Sequence, residues 1–300
     1  MFHFPPRPAP ILLCAAWVFI SAGCSAPSQA AKPPLIKDCS AQLVSPHEDI
    51  TVLDGEVDLA NLYAPVVRVT RLNGAGQCSG VLIAPRLVLT AGHCVCNWQG
   101  AAGNPAHASM NRSSCAKSIT VTAILYDSLS DADNPHEQHI QRFQGAVRPS
   151  PGFSLLRDQL HRATLSSRAD LAVIVLDMTA ERPFLPVPLA NAEIQRDDLI
   201  TIVGYGRADI NGGTEFLRRF GRNRCAQFLA NDREKFKFEK PGALVLAGDS
   251  GGPGFREGPH GLELVGIASK AVAGENSTFT STFFHREWLL QEIRNAAGME

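Results

Sequence analysis

Apolar positions along the chain gather into short runs rather than helical stripes. In the first half these are Ala64 to Thr70, Ser79 to Ala84, Leu87 to Ala91 and Ile119 to Tyr126. In the second half they are Leu171 to Leu176, Leu199 to Val203, Ala243 to Leu246 and Leu262 to Ser269. All have strand length, and Gly- and Pro-bearing segments separate them. Helical spacing is convincing mainly at the end, where Trp288, Leu289, Glu292 and Ile293 follow a 3-4 pattern ahead of Gly298, a natural stop. The polar stretch Asp127 to His139 predicts a surface loop. The pattern is that of an all-β sandwich or barrel protein closed by one terminal helix.

The first thirty residues stand apart. Ile11 to Ala22 is a short apolar run behind a segment whose only side-chain charge is Arg7, and Pro5, Pro6, Pro8 and Pro10 oppose a buried helix at its start. This is the shape of an export leader over residues 1–30. Two exits from it are readable: a lipoprotein-like box, Ser21-Ala22-Gly23-Cys24, and small-residue cleavage after Ser28-Gln29-Ala30. The first places a lipid anchor on Cys24 at the cell envelope, and the second releases a secreted chain. No apolar run reaches the roughly 18–20 residues that would span a bilayer.

Composition narrows the rest. With 300 residues, 45% hydrophobic and 19% charged, the chain fits one domain of about 200–250 residues or two smaller ones. A net charge of −1 gives no electrostatic footprint for nucleic acid, and nothing predicts an oligomer. Export turns the eight cysteines toward disulfides. Cys14 and Cys24 fall in the leader, leaving Cys39, Cys78, Cys94, Cys96, Cys115 and Cys225, a set whose connectivity sequence alone does not choose. A zinc set around Cys78, His93, Cys94, Cys96 and Cys115 lacks paired CxxC spacing, so no metal is expected. Asp127, Asp131, Asp133 and Glu137 lack calcium-loop spacing. Asp209 breaks Gly204-x-Gly206 as a dinucleotide motif, so no cofactor is expected either.

Three local constellations carry chemistry. In the first, the run from Cys78 to Ala84 is followed by Leu87-Val88-Leu89-Thr90-Ala91-Gly92-His93-Cys94, two strands ending in a histidine, which a Cys78–Cys94 disulfide would staple. In the second, Asp170 stands at the mouth of the apolar run Leu171 to Leu176, where an unpaired carboxylate is costly. In the third, Gly248-Asp249-Ser250-Gly251-Gly252-Pro253 is a loop whose glycines let successive N–H groups converge beside a serine hydroxyl. Taken singly, each also fits a buried histidine, a turn-capping aspartate or a hairpin loop.

Together, in the order His, Asp, Ser, these strings resemble the chymotrypsin/trypsin-like serine proteases. The resemblance runs from about Val52 to Asn295 and includes Gly204-Tyr205-Gly206 and Leu264-Val265-Gly266-Ile267-Ala268-Ser269. It implies two antiparallel six-stranded β-barrels with a C-terminal α-helix, an N-terminal linker or propeptide at 31–51 and a protease domain at 52–300. It implies His93 as general base, Asp170 as its partner, Ser250 as nucleophile and the N–H groups of Gly248 and Ser250 as the oxyanion hole. Ser269 would buttress Asp170 and line the cleft with Ala271. Substrates would be proteins or peptides.

Departures from the family pattern qualify the details. The residue six before Ser250, at the base of the primary pocket, is Leu244. That argues against cleavage after Arg or Lys and favours small or apolar side chains. The stretch aligned with the family's activating N-terminus starts at Val52, preceded by Thr51 rather than a basic residue, and its expected partner is Asp249. The interval from His93 to Asp170 is longer than is usual in the family, which implies a loop closed by Cys96–Cys115 and a second insertion from Asp127 to about Ser167. Cys39 is then left to pair with Cys225. The basic run Arg218 to Arg224 reads as a solvated face. The competing expectation to an endopeptidase is a catalytically silent or latent member that binds a partner.

Overall fold

The computed structural model describes residues 55–71, 76–127, 137–161, 163–207, 217–224, 227–229 and 232–298. Cys24, Cys39, Val52 and Cys225, and with them the leader, the activating terminus and the Cys39–Cys225 pairing, lie outside the described residues.

The first half contains β1 (Glu56–Val57), β2 (Val66–Thr70), β3 (Gln77–Ala84), β4 (Leu87–Thr90), the single-turn helix α1 (Gly92–Val95), β5 (Gln99–Gly100), β6 (His107–Asn111), β7 (Ser118–Tyr126) and β8 (Glu137–Pro149). Then come β9 (Ser154–Asp158), β10 (Thr164–Arg168), β11 (Ala172–Leu176), β12 (Ile200–Gly204) and β13 (Arg219–Asn223). The last part holds β14 (Gln227–Leu229), β15 (Asp232–Glu239), β16 (Pro253–Gly258), β17 (Gly261–Val272), β18 (Asn276–Ser281) and the helix α2 (Arg286–Ala297). The chain is therefore mostly β with a terminal helix.

Strands β11-β4-β3-β2-β7-β8 close into a six-stranded antiparallel barrel. Its inner strands are apolar on both faces: all of β4 and β11 is buried, as the unbroken runs LVLT and AVIVL require. The core they form extends beyond the barrel to Val203, Tyr205, Phe255 and Leu289 of the second half.

The second half is an eight-stranded antiparallel sheet in the order β1-β13-β12-β16-β17-β18-β15-β14. Six consecutive strands, β13 through β15, curl back on themselves, and a side chain bridges the ends of the curl. Asn223 of β13 donates from Nδ2 to Glu239 O (3.0 Å) and Ala243 O (3.2 Å), and Ala243 N donates to Arg222 O (2.9 Å). Inside lies a separate core, where Phe236, Phe238 and Phe279 stack and meet edge-on around Ile200, Ile202 and Val265.

Three expectations need correction. Ala243 to Leu246 is buried but is not a strand. Ala243 N keeps a backbone partner, Arg222 O, but Val245 N donates to Ser277 Oγ and Leu246 N to Asp249 Oδ2, both 2.8 Å. The insertions between His93 and Asp170 are not plain loops: β5 and β6 from one pair with β9 and β10 from the other in a four-stranded sheet, β10-β9-β6-β5. Its strands are polar on one face, which hid them from a search for apolar runs. Finally, Arg218 does not belong to a solvated face. It is fully buried, with Nε 2.7 Å from Asp58 Oδ2, while Nη1 donates to Ile124 O and Tyr205 Oη. A buried arginine so paired escapes the penalty of an isolated charge.

Candidate functional site

The buried strand β4 ends at Thr90, and the chain turns through Ala91 into α1. Gly92 is required there because a Cβ would come within 2.6 Å of the Phe153 ring. His93 follows and is fixed twice by one carboxylate: its N–H donates to Asp170 Oδ1 (2.9 Å) and its Nδ1 lies 2.8 Å from Asp170 Oδ2. The His93 side chain keeps 15% exposure against 1% for Asp170.

Asp170 reaches this point through a bent approach to β11. Ala169 has φ +42°, a left-handed conformation unusual for alanine, and its N–H is held by the Glu234 carboxylate. From the other half of the molecule, Ser269 Oγ donates to Asp170 Oδ2 at 2.5 Å. In the β17–β18 ladder Ala268 pairs with Phe279 and Lys270 with Thr278, so Ser269 is the bulged residue between them. Bulges re-aim side chains in this way. Burial alone would push the Asp170 carboxyl up, but His93 and the Ser269 hydroxyl outweigh it and hold the group below the ordinary carboxylate range.

Ser250 sits in the Gly-rich loop between Leu246 and β16. Asp249, beside it, is fully buried, its Oδ1 accepting from Gly206 N (2.7 Å) and its Oδ2 from Leu246 N (2.8 Å). Gly206 leaves room for this carboxylate, since a Cβ there would fall 2.4 Å from it. Burial raises Asp249 to about 6 against the pull of these N–H groups and Arg219, and no cation pairs with it among the described residues. Along the loop, Asp249 N, Gly251 N and Gly252 N all donate to backbone carbonyls. Among the described residues the N–H groups of Gly248 and Ser250 donate to none.

The loop is clamped to the first barrel. Ser79 N donates to Ser250 O (2.8 Å), and Ser79 Oγ donates to Gly248 O (3.0 Å) while accepting from Tyr205 N (2.8 Å). Cys94 Sγ lies 3.5 Å from Ser250 O and 3.9 Å from His93 Nε2, and is tied to Cys78 by a disulfide. A second disulfide joins Cys96 to Cys115. Sequence reasoning did not single out Ser79 for a role. The available signal was a small polar residue inside the apolar strand β3, where a buried hydroxyl must find partners.

His93, Asp170 and Ser269 thus form one hydrogen-bonded chain. Ser250 is brought beside His93 through Cys94, although among the described residues its Oγ makes no hydrogen bond to His93 Nε2. Leu244 is wholly buried in the second core, and Ala271 is exposed on β17. The cluster Cys78, His93 and Cys94 could present metal-ligating atoms, but the two sulfurs are joined to each other in one disulfide.

Residues 60–291 match the family model described as Trypsin. Among solved structures, a mutant of human heparin binding protein superposes with a TM-score of 0.55 at 20% identity, over 81% of this chain and 97% of that one. At that identity the likeness is one of fold.

Proposed function

Because the chain belongs to the trypsin family, we propose that it is an exported serine endopeptidase. The carrying observation is the continuous chain Ser269–Asp170–His93 set beside a serine loop in which the N–H groups of Gly248 and Ser250 have no acceptor among the described residues. In this scheme His93 Nε2 takes the Ser250 Oγ proton as the oxygen attacks the scissile carbonyl. Asp170 fixes the tautomer, with the proton on Nδ1, and stabilises the imidazolium. The two free N–H groups receive the developing oxyanion. His93 returns the proton to the leaving amine, and water releases the acyl group.

Leu244 supports a primary pocket without a carboxylate, suited to small or apolar side chains rather than Arg or Lys. The domain spans 52–300 after a leader at 1–30, with a lipid on Cys24 or release into the medium. Cutting after Thr51 would free a Val52 amine to pair with Asp249. A latent or partner-binding role is the second reading, and the missing Ser250 Oγ to His93 Nε2 hydrogen bond favours it for the uncut chain.

The test is fluorophosphonate labelling of the purified protein and its Ser250→Ala variant, read by intact mass with N-terminal sequencing. Labelling that requires Ser250, in a chain starting at Val52, is the expected result. No labelling after the junction has been cut overturns the protease reading.

A further inference from the structure

Next to His93 the molecule has a cavity of about 160 Å³, which no residue of the Ser250 loop lines. A water occupies about 30 Å³ of liquid, so this space is on the scale of an amino-acid side chain. One wall is the catalytic histidine and β17, at Ser269 and Lys270; the other is the four-stranded sheet built from the two insertions. The floor is apolar, formed by Trp98, Met110 and Leu155, and the Arg157 guanidinium stacks behind Trp98 at 4.0 Å from its ring centre.

The polar groups around this floor are lopsided. Ser167 Oγ is shielded from solvent and has no hydrogen-bond partner among the described residues. Lys270 and Arg71 also line the space, and neither pairs with a carboxylate among the described residues. The single carboxylate in the wall, Asp170, is already committed through Oδ1 to His93 N and through Oδ2 to His93 Nδ1 and Ser269 Oγ. Of the remaining lining groups, Lys270 and Arg71 are cations that can only donate, while the Ser167 hydroxyl stands without a partner and Thr164 adds a second hydroxyl. The complementary guest has methylenes for the floor and an anionic group that only accepts.

We propose that this cavity is a subsite for an aspartate or glutamate side chain of the substrate, two to four residues on the N-terminal side of the scissile bond. The proposal rests on the endopeptidase reading for its substrate class. Lys270 and Arg71 supply the charge, Ser167 the buried donor, and the insertion sheet the wall. Selectivity of this chain would then reside in an acidic residue upstream of the cut as well as in the side chain that meets Leu244.

The experiment uses three peptides that differ only by Glu, Gln or Lys at one upstream position, scanned over those three places. With the cut protein, kcat/KM for the Glu peptide should exceed that for Gln by roughly fivefold or more, the upper range of a partly exposed ion pair. The advantage should shrink as salt rises. Lys270 is exposed, so Lys270→Glu should fold and invert the order, while Ser167→Ala should narrow the Glu/Gln difference. Equal cleavage of all three peptides, or an order unchanged in Lys270→Glu, overturns the subsite. A second arm measures binding of fluorescent versions to the Ser250→Ala chain by polarisation, where the same ranking is expected and equal affinities refute the proposal without any turnover. Labelling of Ser250 with no charge preference leaves the protease and removes the subsite. Charge-ranked binding with neither labelling nor cleavage does the reverse.

Discussion

Ser269 and Asp170 are 99 residues apart in sequence and 2.5 Å apart at their side-chain oxygens. The bond crosses from the second half of the molecule to the first, and it ends on the same oxygen that faces His93 Nδ1. A bulge in β17 thereby helps to hold the carboxylate that faces His93 of α1.

Asp170→Asn should leave the fold intact and cut kcat by about four orders of magnitude, because an amide stabilises the wrong imidazole tautomer. Ser269→Ala should act more gently and in a readable direction. Asp170 is depressed in the folded protein, so its stabilising contribution is present above its unfolded pKa and is lost as pH falls through the folded one. Removing the Ser269 donor raises that folded pKa, and the acid-unfolding midpoint should move to higher pH. A midpoint unchanged or lowered in circular-dichroism titration contradicts the assignment.

Ser79 joins Gly248 O, Tyr205 N and, through its own backbone, Ser250 O. Ser79→Ala leaves the half-buried Gly248 carbonyl and the buried Tyr205 amide without their partner, at about 1–3 kcal/mol for the buried group. Thermal unfolding should show the loss. Fluorophosphonate labelling should also slow, because the Gly248 carbonyl orients the peptide next to the Ser250 N–H. Full stability with normal labelling would mean the clamp is idle.

The strings holding His93, Asp170 and Ser250 were legible because each motif is local: a strand and its next few residues. The all-β class and the terminal helix were legible for the same reason, through β4, β11 and Trp288 to Ile293. Long-range pairings left no local trace. Arg218 looked solvated in a basic run because its carboxylate, Asp58, is 160 residues away. The insertion sheet was missed because β10, with its exposed Leu165 and Ser166, gains its order from β9 rather than from burial. Asn223 gave no hint that it would close a curled sheet, since its acceptors are main-chain atoms of segments still to come.

The Asp58–Arg218 pair gives a third prediction. Arg218 makes four contacts to side chains and backbone at once, to Asp58, Ile124, Tyr205 and Asn61. Asp58 also accepts from Leu62 N and Tyr63 N, so it stays buried when the arginine goes. Arg218→Met should cost about 3–5 kcal/mol in urea unfolding. Arg218→Lys should recover little, because a single ammonium cannot reach all four acceptors from the guanidinium position. A loss under about 1 kcal/mol for Arg218→Met would show that the pair behaves like a surface one.

Asp249 supplies the last. Its folded pKa, about 6, lies above the value near 3.9 expected of an unfolded aspartate. Between those values the folded chain holds a proton that the unfolded chain has lost, so stability must fall as pH rises through this window. The size is on the order of 3 kcal/mol for a shift of this magnitude. Asp249→Asn should abolish that slope in the uncut chain and make it more stable than the wild type at pH 7. If the Val52 amine pairs with Asp249 after cutting at Thr51, the sign reverses. The carboxylate is then held low, the wild type gains stability above about pH 4, and Asp249→Asn becomes the weaker protein. Urea midpoints of the cut and uncut chains at pH 4 and pH 7 read both slopes. The same slope in both forms would mean that the new terminus goes elsewhere and that Asp249 stays a buried acid.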